Sequence, residues 1–440
     1  MSEFLTRHPA RPGPASRYMD PVLRRFVRAR GGHVAVTFVV FLIPILFAAG
    51  AAIDYGRRGA AKAELDALLD AAVLGVIAQK TNTITAAMVD SARAQFLADA
   101  AKVPGVTKIT SFTATPVQGA TQLGLTAAYT AIVQTTLSGL MMKTVGMTIG
   151  GQSSSVRRIA QYIDFYLLLD NSPSMGLAAT SADIQRMQTV ANGCAFACHL
   201  PNPNGSENLN DNYHIAKRNN IKLRIDVLRS AVSNLVDSAK ASMSLPQQFR
   251  MEMWTFSDVQ TRLSQLTADL EQVKRASAQI DMATSYQDQR DCQTSYGPTL
   301  SKMTDTIPVS GDGVTPASPI RFLFFVTDGV QDLPFARSKP RPTIGSVIND
   351  GRYIGPIDPA LCQSMKDKKI RIGIIYTQYL PLYNNGFYNS YVKPFENNIG
   401  PLLKSCATDG LYFAVSTNGD INQAMQQLFS AAMSSVRITN

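Results

Sequence analysis

The stretch YIDFYLLLDNSPS, residues 162–174, decides the reading of this chain. Its first eight residues are almost wholly apolar, the pattern of a strand covered on both faces and so of a parallel sheet. The next five, Asp170-Asn171-Ser172-Pro173-Ser174, are all turn formers set directly after that strand. Open parallel sheets bind ligands beyond the carboxyl ends of their strands, where strand order reverses. A carboxylate and two hydroxyls at alternate positions of one tight loop can face a single point there. Oxygen donors select a hard cation, Mg²⁺ with Mn²⁺ or Ca²⁺ as alternatives. Taken alone the pentapeptide is an ordinary turn, so its surroundings decide.

Downstream of Gln161, strands and helices alternate, which predicts an α/β fold: a doubly wound, mostly parallel, Rossmann-like sheet over residues 159–440. Strands are expected at Phe249–Phe256, with Trp254 as core, and at Ile320–Val326, Lys369–Tyr376 and Leu411–Val415. Helices are expected at Ile221–Ala239, Leu270–Ile280, Val392–Cys406 and from Asp420 onward. Ile320–Val326 ends in Thr327-Asp328-Gly329, which brings a second carboxylate, Asp328, to the same end of the sheet as Asp170. Two polar stretches, 176–219 and 331–357, break the alternation and read as insertions in long loops.

Upstream, Val34–Ile53 (VAVTFVVFLIPILFAAGAAI) is an uncharged run long enough to cross ~30 Å of hydrocarbon, with Pro44 at its middle. Residues 1–33 form a basic tail. Its seven arginines against Glu3 and Asp20 give a balance of +5, half of the net +10 of the 440-residue chain. By the positive-inside rule this predicts a single-pass inner-membrane protein, N-terminus cytoplasmic and the remainder periplasmic. A cleaved signal peptide is the rival, with the small residues Ala48–Ala52 as its cleavage region. No basic face interleaved with aromatics accompanies the charge, so nucleic acid is not an expected partner. Residues 54–158 read as a long helix, a second helix near Ile84–Ala101 and a small β-rich part, Val106–Arg158.

All five cysteines follow the apolar run, on the side where disulfides form. Cys194 and Cys198 are expected to staple the first insertion, and Cys362 and Cys406 to make a second bridge, leaving Cys292 unpaired. Cys194-Ala-Phe-Ala-Cys198-His199 is one residue longer than a haem-attachment motif. Tyr379, Tyr383, Phe387, Tyr388 and Tyr391 cluster after the Lys369–Tyr376 strand, either as interface anchors or folded onto the sheet. No P-loop, HExxH or Gly-x-Ser-x-Gly is present, and no enzyme activity is expected.

The Asp-x-Ser-x-Ser loop, with Asp-Gly after a later strand, resembles the metal-ion-dependent adhesion site of von Willebrand factor A (vWA) domains, over roughly Gln161–Ser435. Asp170, Ser172, Ser174 and Asp328 match that pattern position by position, with Pro173 where the family usually has glycine. The family's metal-site threonine precedes a helix and has a leucine six residues on; Thr294, with Leu300, fits this, and Thr284 is the alternative. The whole chain resembles TadG-like proteins of the tight-adherence (Flp) pilus system, through residues 32–57 and the vWA part that follows. The resemblance implies a membrane-anchored binding and assembly factor for pilus biogenesis and surface attachment. Its partners would be pilus-assembly or envelope proteins, which complete the metal coordination with a carboxylate. The alternatives are a structural pilus or envelope subunit whose metal only stabilises the fold, and a metal-dependent hydrolase.

Overall fold

One unbroken helix, α1 (Gly32–Ile77), begins the computed structural model, which describes residues 32–119, 122–135, 146–284, 294–334, 344–348, 351–378, 386–416 and 419–438. The tail before Gly32, Cys292, Tyr379 and Tyr383 lie outside the described residues. At 46 residues α1 is about 69 Å long. Pro44 sits inside it, so the backbone forgoes a hydrogen bond there without ending the helix. Its first part is apolar and exposed: Val34, Phe38, Phe41 and Ile45 are each more than 60% accessible. This is the one helix among the described residues long and apolar enough to cross a membrane.

The chain divides into two compact units. In the first, α1 changes character after the apolar run. Ala61, Leu65, Leu69, Val73 and Val76 recur at helical spacing and are buried, as an amphipathic helix requires. They pack with α2 (Ala86–Ala100) and a three-stranded sheet of β1 (Val106–Gln118), β2 (Gln122–Val133) and β3 (Met147–Arg158), in that order. Apart from Gly124, which is buried as well, the middle strand alternates, with Leu123, Leu125, Ala127, Tyr129, Ala131 and Val133 buried. The Tyr129 hydroxyl donates to Asp66 at 2.8 Å, giving that buried side chain a partner on α1.

In the second unit, a six-stranded sheet runs in the order β12-β11-β7-β4-β5-β6. Its strands are β4 (Ile163–Asp170), β5 (Phe249–Phe256), β6 (Gln260–Thr267), β7 (Ile320–Thr327), β11 (Arg371–Thr377) and β12 (Tyr412–Val415). All neighbours are parallel except β6, which returns antiparallel to β5 as an edge. The sequence did not announce β6, whose residues QTRLSQLT are polar and mostly accessible. The α/β, doubly wound, mostly parallel class expected from sequence is the one observed.

Every residue of β4 and β7 is buried because the sheet is covered on both faces. Ile163, Phe165, Leu167 and Leu169 enter one core with α5 (Arg224–Ser242), α6 (Leu270–Ser277) and α10 (Ile421–Ile438). Tyr166, Leu168, Leu323 and Phe325 enter the other with α7 (Tyr296–Thr306) and α9 (Glu396–Cys406). Asp164, at the opposite end of β4 from Asp170, is neutralised by Arg250, whose guanidinium bonds both carboxylate oxygens at 2.7 and 2.8 Å.

The two stretches expected as loops carry secondary structure. The first holds helices α3 (Ser181–Val190) and α4 (Asn212–Arg218). The second forms a three-stranded antiparallel ribbon of β8 (Val330–Pro334), β9 (Ser346–Ile348) and β10 (Arg352–Pro356), with β10 central. A short helix, α8 (Gln363–Asp367), precedes β11. Cys362 and Cys406 form the expected disulfide.

Candidate metal centre

β4 lies at the middle of the sheet and comes first in the chain; β5 pairs on one side of it and β7 on the other. The reversal of strand order therefore falls between β4 and β7, whose carboxyl ends open the crevice where such sheets take ligands. Asp170 closes β4, and Asp328 directly follows β7. Both are completely buried.

The loop after Asp170 curls back on its own carboxylate. Asp170 Oδ1 accepts the Ser172 N–H at 2.9 Å. Ser172 is extended, and Pro173 opens a 3-10 turn over Pro173–Gly176. Proline suits that position because its φ is preset and its missing N–H is not needed there. The turn brings Ser172 Oγ and Ser174 Oγ to 2.9 Å from each other. Asn171 anchors the loop from behind, its N–H donating to Phe256 O at 3.0 Å and its amide to Asp281 O at 3.0 Å.

Asp328 is held less completely. Its Oδ1 accepts the Val330 N–H at 3.2 Å, while Oδ2 is buried without a hydrogen-bond partner. Gly329 makes the turn possible: its φ is +83°, and a Cβ there would run into Ile399. Burial foremost, then the neighbouring Asp328 charge, push Asp170 up to about 7 against the donors Ser172 and Thr327. Asp328 is raised as well, by burial, with Ser174, the Val330 N–H and the Arg224 charge opposing. Two buried carboxylates, two hydroxyls and one orphaned oxygen are a donor set that fits a hard divalent cation.

Thr294 is buried just before α7, where its N–H and C=O exchange hydrogen bonds with Asp332 at 3.1 and 3.2 Å. The Ser295 N–H donates to Ser257 O, tying the start of α7 to the end of β5. Thr284 follows Ala283, whose N–H donates to Asn171 O at 2.9 Å. Each threonine thus stands on a segment bonded to the site, one through α7 and the other through Asn171.

Two contributors went unread in the sequence. Thr327 donates its hydroxyl to Asp170 Oδ2 at 2.6 Å, and the Tyr296 hydroxyl lies 2.7 Å from the same Thr327 oxygen. Burial, followed by the Asp170 and Asp328 charges, raises Tyr296 well above the usual phenol range, so it is a fixed neutral donor. The signal available was a hydroxyl one residue before the Asp-Gly, at the last position of a strand that is apolar from Phe322 to Val326.

Cys194 and Cys198 correct an expectation: both are thiols and do not bridge. The backbone between them is held by other bonds: Phe196 pairs with Leu177, and the Ala197 N–H donates to Gly176 O at 2.9 Å. Cys194 Sγ instead donates to Phe196 O at 3.4 Å. The adjacent Cys198 thiol, by hydrogen bonding, lowers Cys194 to about 6. Of the aromatic cluster, Tyr388 is folded into the core, with its hydroxyl on Glu396 at 2.6 Å, whereas Phe387 is exposed.

Residues 32–79 match the family described as "Putative Flp pilus-assembly TadE/G-like". Nothing matches among curated proteins. Among solved structures, similarity extends to the vWF domain of the type V pili tip protein Mfa5 from Porphyromonas gingivalis, at 12% identity and TM-score 0.38, covering 63% of this chain and 97% of that one. BatB from Bacteroides thetaiotaomicron follows at 14% identity and TM-score 0.34, covering 62% and 99%. Proximal thread matrix protein 1 from the mussel byssus, solved with a zinc-occupied MIDAS motif, gives 14% and 0.32, covering 62% of this chain; the chain spans about half (46%) of that protein. The stretch that matches the TadE/G-like family thus lies ahead of the unit that carries the mostly parallel six-stranded sheet.

Proposed function

We propose that this chain is a membrane-anchored, metal-dependent binding and assembly factor in pilus biogenesis and surface attachment. The observation that carries the reading is the buried pair Asp170 and Asp328 at the strand-order reversal, with Asp328 Oδ2 unpartnered. Asp170, Ser172, Ser174, Asp328 and Thr294 would hold Mg²⁺, or Mn²⁺ or Ca²⁺ in its place. A hard cation there supplies open coordination positions for a carboxylate from a pilus or envelope protein. The chain's own part is to keep the oxygens fixed, through the Ser172 N–H, the Thr327 hydroxyl and the Pro173 turn. The TadE/G-like match over residues 32–79 supports the pilus context.

The arginines ahead of Val34 support a cytoplasmic N-terminus, and the Cys362–Cys406 disulfide supports an outer, oxidising location for the sheet unit. No constellation of nucleophile and base is assembled around Asp170 among the described residues, and binding is favoured over catalysis.

The test is capture of the full-length protein from membranes with and without EDTA, comparing wild type with Asp170→Ala. Partner recovery and surface pili should both fall in the variant, and EDTA should reproduce the loss of capture. Unchanged capture and pili would refute the reading. The unbroken α1 favours one rival, a structural subunit packed through that helix. In that case metal removal lowers the melting temperature while assembly continues.

A further inference from the structure

The first insertion contains a cluster that the Asp170 site does not use. Asp211 is the N-cap of α4, and its carboxylate is clamped by two backbone donors: His214 N–H to Oδ1 at 2.8 Å and Leu200 N–H to Oδ2 at 2.9 Å. Each oxygen also faces an imidazole nitrogen. His214 Nδ1 lies 2.7 Å from Oδ1, and His199 Nδ1 lies 2.8 Å from Oδ2. One ligand atom from each of the three residues falls within 4.8 Å of the other two. The Asp211 side chain is 1% exposed and the histidines 17% and 16%, so the group is nearly dry yet reachable.

Both ring nitrogens of His214 face carboxylate oxygens. Its Nε2 lies 3.1 Å from Glu207 Oε1. A neutral imidazole has one N–H. If Nε2 donates to Glu207, the bare lone pair of Nδ1 meets a carboxylate oxygen at 2.7 Å, and two acceptors at that distance repel. Either a second ring proton or a cation between them removes the conflict, and the test below separates the two. A carboxylate on the far nitrogen of a ligating histidine is also the usual outer support of a metal-bound imidazole. The rings are held for it: Tyr213 packs on His199 at 4.6 Å between centroids and stands perpendicular to His214.

We propose that His199, Asp211 and His214 form a second divalent-metal site, for Zn²⁺ or a similar borderline cation, with Glu207 as its outer partner. Two imidazoles and one carboxylate suit zinc and differ in kind from the all-oxygen set at Asp170. Donors on one tetrahedral zinc stand about 3.3 Å apart, so the pairs open by about half an ångström on binding. The ion would staple α4 to the segment Cys194–His199. That segment is already joined to α4 by the Tyr213 N–H to Cys198 O and the Asn212 amide to Phe196 O, both 3.2 Å. Phe196 in turn pairs with Leu177, just past the turn that follows Asp170. The proposal does not depend on the assignment of the Asp170 loop.

The test uses the full chain in detergent, carrying Asp170→Ala so that the all-oxygen loop contributes nothing. After stripping with EDTA and adding zinc, one tightly held zinc per chain is expected, with two imidazole nitrogens in its X-ray absorption spectrum. Adding His199→Ala and His214→Ala should abolish it, and Glu207→Gln should weaken it roughly 10–100-fold. Wild type in excess Mg²⁺ gives the same spectroscopic reading should Asp170→Ala fold poorly. No retained zinc, a shell of oxygen or sulfur alone, or zinc indifferent to the histidines overturns the proposal; the first of these leaves His199 and His214 as hydrogen-bond partners of Asp211.

Discussion

Thr327 gives its hydroxyl proton to Asp170 across the β7–β4 boundary at 2.6 Å, which obliges Tyr296, 2.7 Å from the same oxygen, to be the donor to Thr327. A three-residue relay thus runs from α7 through the end of β7 to the carboxylate that closes β4. With Asp170 ionised, as a bound cation requires, the direction is set: the carboxylate can only accept and Tyr296 stays neutral.

Thr327→Val keeps the shape and removes the relay's centre. It leaves a Tyr296 hydroxyl and an Asp170 oxygen without their partner inside the protein. A loss of roughly 1–3 kcal/mol is expected. Denaturant unfolding should show it, and calorimetric titration with Mg²⁺ should show weaker binding than wild type.

The buried carboxylates make stability depend on pH in opposite senses with and without metal. Asp170 is raised to about 7 by burial and by Asp328, from an ordinary value near 4. A raised acid binds its proton more tightly in the folded state, so its contribution is full below pH ~4 and fades as pH rises through ~7. In EDTA the melting temperature should therefore fall across that window. Asp170→Asn should flatten the fall, and Mg²⁺ in the wild type should offset it.

Gly329→Ala forces a left-handed backbone on a side chain and drives its Cβ against Ile399. Conformational cost and overpacking together suggest about 2–4 kcal/mol. Because Asp328 is the preceding residue, cation affinity should drop along with the unfolding midpoint. A variant of wild-type stability that binds Mg²⁺ normally would contradict this account of the turn.

The Cys362–Cys406 bridge spans a sequence separation of 44, and both sulfurs are buried. The loop-entropy relation gives about 4 kcal/mol for a closure of that length. Cys362→Ala with Cys406→Ala should lower the denaturant midpoint accordingly. Mild reductant should leave the folded wild type intact, since burial shields the bond.

Much of this was legible because buried parallel strands advertise themselves. β4 and β7 are buried throughout and mostly apolar, interrupted only near their starts by Asp164 and Arg321, so Asp170 at the end of one and Asp328 after the other stand out. β6 escaped notice because an edge strand needs no apolar face, and QTRLSQLT shows little of one. The β8–β10 ribbon was hidden by composition: Pro, Gly and Arg read as loop, while pairing with β10 organises Val330–Pro334. Thr327 was quoted only as a neighbour of Asp328, since which way a strand's last side chain points depends on a register that only the sheet reveals. Cys194 and Cys198 stand as neighbouring thiols in hydrogen-bond contact, a state that cysteine spacing alone does not distinguish from a bridge.

The same disulfide sets a mechanical limit. A domain tugged by its ends lengthens by releasing folded chain. The residues between Cys362 and Cys406 cannot be released, which withholds roughly 150 Å of contour at about 3.4 Å per residue. Extended to failure in single-molecule stretching, the oxidised chain should stop short of the reduced chain by that length.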